Sequence, residues 1–322
     1  NDSVLVIIDS VMNLPLLVRS AQNYTGNNTL IDPIVMTHID RLQRNNMRKD
    51  GSTFHVCDYS ATSGDLYLCR TQQGLSDIST WARGQAWAIH GFTELYDLLG
   101  NQTYLDTARR AADWFIDHLP RTTEDGTLEV PYWDFDAPYE PATTPRDVSA
   151  GMIAASGLLS LAQHNPISQD TSPPTLNKYS IAAIQLLNSA ASLALATPIS
   201  FSEASTPAQG VQTNLTTSPT NTDTRQFESV FMHSTVNGHP GTVPGSGGNY
   251  DTGLIYADTY AIEAINKLLR LGYVSCNGTM LAKADPDAGG SNVRASTAPR
   301  SFQDIGTMTL LSATVTLLTT LS

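Results

Sequence analysis

Asp9 is the first side chain whose surroundings demand an explanation. It lies between Ile8 and Met12 in the apolar run Val4 to Ser20. A carboxylate in such a run is costly to bury unless it is paired or put to chemical use. Read as a helix, the run places Asn13 one turn from Asp9 on the same face. Pro15 then ends or bends the helix just beyond. Asp9 reads either as a functional carboxylate or as a buried acid hydrogen-bonded to a neighbouring helix, because structural ion pairs perturb acids too.

A second anomaly is Thr80-Trp81-Ala82-Arg83-Gly84-Gln85-Ala86-Trp87-Ala88, followed by Ile89 and His90. Arg83, Trp87 and His90 fall on one helical face at i, i+4 and i+7. An aromatic face suits the C–H face of a sugar, and a guanidinium suits a carboxylate. The same pattern fits an interhelical salt bridge packed on a core Trp. The loop Tyr132-Trp133-Asp134-Phe135-Asp136-Ala137-Pro138 is dense in aromatics and acids, so Trp133 and Asp134 are candidates to line a sugar site or to plug two helices apart. His55 follows Asp50-Gly51-Ser52 and is a lone histidine. The sequence contains no zinc-ligand spacing, no Gly-x-Ser-x-Gly elbow and no dinucleotide fingerprint. Gly241 to Gly248 is Gly-rich but lacks the Lys-Ser/Thr ending of a phosphate loop.

The elements that must carry these residues are helical. Helices are expected over Val4 to Ser20, Ile34 to Arg48, Ala82 to Leu99, Tyr104 to Leu119, Val148 to Ala162, Asn177 to Leu195 and Leu254 to Leu271, on apolar spacing and with Asp147 as an N-cap. They alternate with loops at intervals of 20 to 40 residues, the pattern of an all-α toroid or solenoid. The polar stretch 199–225 reads as an exposed insertion loop. A second flexible stretch runs over 282–300. A barrel domain is expected over 1–272 and an unassigned flexible tail over 273–322.

The 322 residues carry 30 acidic and 18 basic side chains, a net charge of -12, with 41% hydrophobic content. That affords a sizeable core and disfavours a nucleic-acid groove. No membrane span is expected; the uncharged stretch 307–322 is short for one and reads as a poorly ordered tail, or less well as a removed lipid-anchor signal after Gly289, Gly290 and Ser291. Six Asn-x-Ser/Thr sequons, at Asn1, Asn23, Asn27, Asn101, Asn214 and Asn277, point to a secreted eukaryotic glycoprotein. Cys57 and Cys69 flank a strand-like stretch turning at Ser63 and Gly64, which admits either a disulfide across a hairpin or two free thiols. Cys276 is left over for a partner outside this sequence.

On these same residues the chain resembles the unsaturated glucuronyl hydrolases, glycoside hydrolase family 88. Ile8-Asp9-Ser10-Val11-Met12-Asn13-Leu14-Pro15-Leu16-Leu17 is similar to the family's catalytic helix, and Gly51-Ser52-Thr53-Phe54-His55 to its glycine-serine-aromatic-histidine strand. Gln73-Gly74 with Ser79-Thr80-Trp81-Ala82-Arg83-Gly84-Gln85-Ala86-Trp87 resembles its most distinctive block. Val130 to Pro138, Pro145-Arg146-Asp147 and Leu254 to Tyr260 follow in order, so the resemblance spans roughly residues 4 to 271. Related rhamnogalacturonyl hydrolases read Arg-Gly-Asn-Gly-Trp where this chain has Arg83-Gly84-Gln85-Ala86-Trp87.

The resemblance implies an (α/α)6 barrel and removal of a 4,5-unsaturated uronic acid from the non-reducing end of lyase-cut oligosaccharides, with no metal or organic cofactor. It implies Asp9 as general acid/base and His55, Gln73, Arg83 and Trp87 as substrate-binding, with Arg83 and Gln73 on the uronate, Trp87 stacking and His55 bonding the sugar. Asn13, Trp133 and Asp134 are further site-lining candidates. The family carries a second essential Asp in an earlier His-Asp segment and twelve helices. This sequence has no His-Asp dipeptide and seven helical stretches, so a barrel incomplete at its N-terminus is expected, with apolar faces of Val4 to Leu17 and Ile255 to Leu269 left open. Action on unsaturated rhamnogalacturonan ends, or silent glycan binding, are the alternatives. Oligomeric state is not implied.

Overall fold

The computed structural model describes residues 2–25, 28–140, 143–165, 174–196, 201–202, 216–217, 229–238 and 251–285. The glycine-rich stretch 241–248, the tail 307–322, almost all of the loops 199–225 and 282–300, and the sequons at Asn1, Asn27 and Asn214 lie outside the described residues.

The expected first helix is not one element. Ser3–Ile7 is a strand, β1; Ile8–Met12 is a single 3-10 turn; only Leu14–Ser20 is α-helical, α1, with Pro15 near its start. A continuous apolar run does not distinguish strand from buried helix by period, and here the β-branched residues Val4, Val6 and Ile7 tip the balance. β1 pairs antiparallel with β2 (Val56–Ser60), which pairs with β3 (Leu66–Arg70) in a three-stranded sheet. Cys57 stands opposite Cys69 in that ladder, and the two form a disulfide. Cys276 is an exposed free thiol.

The other helices stand close to their expected places, except the second, which starts at Asn28 where Ile34 was expected. α2 spans Asn28–Arg41, with Pro33 inside it, and continues as a wider turn to Asn46. α3 (Ala82–Leu99) ends at Gly100 in the left-handed conformation that glycine adopts without steric cost, with φ 68°. α4 (Gln102–His118) starts at once, its first turn capped by the Asn101 side chain. α5 (Val148–Ala162) is capped by Asp147, and α6 (Lys178–Ala194), after the short strand β4 (Thr175–Leu176), by Asn177. After the paired dipeptides β5 (Phe201–Ser202) and β6 (Thr216–Thr217), α7 spans Ile255–Arg270.

The core sits around α5, which packs on α3, α6 and α7 and is buried along nearly its whole length. Its Ala, Gly and Ser residues carry too little side chain to keep neighbouring helices apart, so three helices close on it. Residues 273–285, expected as the start of an unassigned flexible tail, instead join this core. Tyr273 and Val274 are buried, and β7 (Lys283–Ala284) pairs in parallel with β4. Leu16 and Ile255 remain 69% and 71% exposed, and Val4, Leu5, Tyr256 and Ile262 are open as well. No helix among the described residues is long and apolar enough to cross a membrane.

Candidate active site

The register of the small sheet places Asp9. Ile7 pairs with Val56, and the next N–H, that of Ile8, donates to the His55 carbonyl at 2.9 Å. The chain then turns, which leaves Asp9 opposite the His55 ring, with Oδ2 3.7 Å from Nε2. The turn is pressed onto α3 at two glycines. A Cβ on Gly84 would stand 3.0 Å from Ile8 Cγ2, and one on Gly91 only 2.5 Å from Val11 Cγ1. Ile8 and Val11 are fully buried in that contact.

The Asp9 carboxyl is two-sided. Its Oδ2 is shut off from solvent with no hydrogen-bond partner, while the side chain keeps 28% exposure. The open edge is therefore that of Oδ1. Burial raises its pKa above the ordinary carboxylate value. The backbone N–H of Asp9, the Arg83 charge and a hydrogen bond with the Trp87 indole pull the other way without reversing it. Asn13, which a helix would have stacked beside Asp9, ends the 3-10 turn and is exposed instead.

His55 is buried and stacked on Trp81, with ring centroids 4.4 Å apart. Its Nδ1 receives the backbone N–H groups of Gln72 and Gln73, each at 3.3 Å. Burial, then the charges of Arg83 and Arg70, lower its pKa to about 4, so the ring is neutral at ordinary pH.

Arg83 is buried and paired with Asp147 at 3.0 Å. Nη1 also donates to Ser149 Oγ and to the Thr235 carbonyl at 2.8 Å, and Nη2 donates to the Val236 carbonyl at 3.1 Å. Gln73 Nε2 donates to that same Val236 carbonyl at 2.9 Å. Both residues thus spend donors on the segment 229–238, which packs over the site with Gly238 against the Trp133 indole. Asp134 is buried and fixes loops: Oδ2 accepts from Leu75 N–H and Ser79 O–H, and Oδ1 from Asp136 N–H. Burial raises its pKa against those bonds.

Trp87 is buried and met edge-on by Tyr256 and Tyr260 of α7, at centroid distances of 5.7 and 5.4 Å. His90 contacts Tyr260 as well, and its Nε2 lies 3.5 Å from Glu263, which Lys267 holds at 2.7 Å. The structure therefore brings Asp9, His55, Arg83 and Trp87 together, sets Gln73 beside them, and leaves Asn13 exposed. The sequence reading did not single out Tyr256 and Tyr260 as site residues, although their i, i+4 spacing on a helix was visible. Nor did it pair Asp147 with Arg83. Among the described residues no group of three or more His, Cys, Asp or Glu side chains is arranged to hold a metal ion.

No family model matches the chain. Curated proteins do. The unsaturated glucuronyl hydrolase of Formosa agariphila is 42% identical over 158 residues, and that of Bacillus sp. strain GL1 is 40% identical over 161 residues. The unsaturated chondroitin disaccharide hydrolase of Streptococcus pneumoniae is 32% identical over 161 residues. The matches cover 48%, 49% and 50% of this chain, and only 37%, 39% and 38% of those proteins. Among solved structures, the glycosaminoglycan-degrading unsaturated glucuronyl hydrolase of Bacillus sp. GL1 has a TM-score of 0.62 at 29% identity, covering 83% of this chain and 58% of that one. A heparin-specific unsaturated glucuronyl hydrolase gives 0.61 at 29% identity, with 83% and 60% covered. The chain is homologous to the unsaturated glucuronyl hydrolases, and its helices are arranged as part of their α/α barrel.

Proposed function

We propose that this homologue of the unsaturated glucuronyl hydrolases belongs to an enzyme that removes a 4,5-unsaturated uronic acid from the non-reducing end of lyase-generated oligosaccharides. The observation that carries the reading is the Asp9 carboxyl, closed on its Oδ2 side, open on its Oδ1 side and inclined by burial to keep a proton. The C4=C5 bond of such a sugar is a vinyl ether, conjugated to the ring oxygen. Asp9 delivers its proton to C4, which leaves an oxocarbenium ion at C5. Water adds at C5 and surrenders a proton to the Asp9 carboxylate. The resulting hemiketal opens, and the glycosidic bond is lost as the product rearranges. This differs from the two-carboxylate attack at the anomeric carbon used by ordinary glycosidases.

Trp87, with Tyr256 beside it, supplies an aromatic wall for the sugar. Arg83 stands close enough to favour the anionic form of Asp9 between proton transfers. Its donors, like that of Gln73, already hold Thr235 and Val236. A direct bond from either residue to the uronate requires that segment to yield.

The barrel domain of this reading runs over residues 1–272, with residues 273–285 docked on it. An extracellular setting is supported by the Cys57–Cys69 disulfide and by the exposed sequon residues Asn23 and Asn277. Turnover is followed as loss of the ultraviolet absorbance of the conjugated uronate when protein is added to lyase-digested polysaccharide. Decay, and its absence in Asp9→Asn, supports the reading. Binding of the oligosaccharide without decay refutes it in favour of a silent glycan-binding homologue. Faster turnover of an unsaturated rhamnogalacturonan disaccharide than of a glycosaminoglycan disaccharide refutes the glucuronyl assignment.

A further inference from the structure

His55 is the neighbour of Asp9 whose hydrogens can be assigned by elimination. Its Nδ1 faces two main-chain N–H groups, those of Gln72 and Gln73, each at 3.3 Å. A main-chain N–H can only donate, so Nδ1 must present a lone pair. The Thr71 hydroxyl lies 3.5 Å from the same nitrogen; its oxygen already accepts from Gly74 N–H at 2.7 Å, which leaves its hydrogen available in the same direction. A neutral imidazole carries one ring proton, so that proton is on Nε2, the nitrogen 3.7 Å from Asp9 Oδ2. The ring cannot readily turn over, because it is buried and stacked on Trp81.

We propose that His55 is a positioning residue for the Asp9 proton: the Gln72 and Gln73 amides lock its ring as the Nε2–H tautomer, which turns a donor toward the buried Oδ2 and leaves the proton for transfer on the open Oδ1. This rests on the reading of Asp9 as the acid and adds the device that orients it.

The charged and titratable groups around the pair support the assignment. Arg83 of α3 and Arg70 of β3 both oppose a second proton on His55, with Arg70 itself held by Asp58 of β2 at 3.0 Å. Asp9 is the acid that faces the ring. His55 therefore transfers no proton. When Oδ1–H is given to C4, negative charge spreads onto Oδ2, toward which the His55 N–H is turned. At 3.7 Å that contact is longer than a formed N–H···O bond, and such contacts tighten when charge develops in the loaded site.

The first test needs no substrate. In protein labelled with 15N-histidine, long-range proton–nitrogen correlations at pH 7 should show His55 as a neutral ring protonated on Nε2. An Nδ1–H ring or an imidazolium overturns the proposal. The second test follows the Asp9 carboxyl by 13C titration in His55→Phe and His55→Gln. Loss of the donor should raise the Asp9 midpoint by about one pH unit, a tenfold change in its proton affinity. Glutamine keeps an N–H donor and should restore most of it. Equal midpoints in the two variants overturn the proposal. Both readouts are independent of turnover: an inactive protein with the expected tautomer refutes the activity alone, and an active protein with an imidazolium refutes this inference alone.

Discussion

Arg83→Met removes the cation at the centre of the site while keeping most of its apolar volume. The structure sets the size of the effect. Asp147 is fully buried, 3.0 Å from the guanidinium, and would be left as an unpaired carboxylate. The Thr235 and Val236 carbonyls would lose the donors that meet them at 2.8 and 3.1 Å. Breaking a buried pair by deleting one partner costs about 3–5 kcal/mol, a large share of the 5–15 kcal/mol typical of a folded domain. Asp147→Asn is milder, at about 2 kcal/mol, because asparagine caps the first turn of α5 as well as aspartate does and Arg83 keeps Ser149 and both carbonyls. The double variant should cost less than the sum of the single ones, by about 1.5–3 kcal/mol. Urea unfolding of the four proteins at pH 7 measures this cycle. An Arg83→Met cost below about 1 kcal/mol, or strict additivity, would refute the view of Arg83 as the anchor of this core rather than a free uronate ligand.

Acid stability should report on His55. Above pH about 6.5 the ring is neutral folded and unfolded, and its titration has no effect on stability. Between about 6.5 and about 4 the unfolded chain takes up a proton that the folded ring refuses, so stability falls with pH, by up to about 3 kcal/mol. Glu263 adds to the fall at lower pH: burial raises its pKa, but hydrogen bonds and charge from His90 and Lys267 outweigh this and bring it to about 2, so its stabilisation is lost from about 4.5 downward. Urea midpoints for His55→Gln should be flatter between pH 6.5 and 4; an unchanged slope contradicts the assignment. Gly91→Ala would set a methyl 2.5 Å from Val11 Cγ1 and 3.1 Å from its backbone carbon. Overpacking of about 1–3 kcal/mol should outweigh the gain in helix propensity of about 1 kcal/mol, and a stability equal to or above that of the parent would show that the Asp9 turn is not seated there.

Much of this was legible before any coordinates. The bounds of α3 and α5 follow from apolar spacing and from Asp147 as a cap, whereas the hairpin left a Cys57–Cys69 disulfide and two free thiols equally open until the strand register set the two residues opposite each other. The first segment was misread because a strand, a 3-10 turn and a short helix in series can be as uniformly apolar as one buried helix. That error displaced Asn13, since a shared face at i, i+4 holds only if the turn is α-helical. The task of Arg83 was hidden for another reason. Its acceptors, Thr235 and Val236, lie over 150 residues away in sequence and are main-chain carbonyls, which carry no side-chain signature. Residues 273–285 escaped notice because two-residue strands leave no period to read.

The most direct measurement is the decay of the conjugated-uronate absorbance with unmodified protein and with Asp9→Asn, on the same unsaturated disaccharide, alongside a binding isotherm for each. For the whole enzyme to which this chain is proposed to belong, the account predicts decay with the unmodified protein, loss of at least about a hundredfold of that rate in the variant, and comparable binding. Turnover in Asp9→Asn equal to that of the unmodified protein would contradict it.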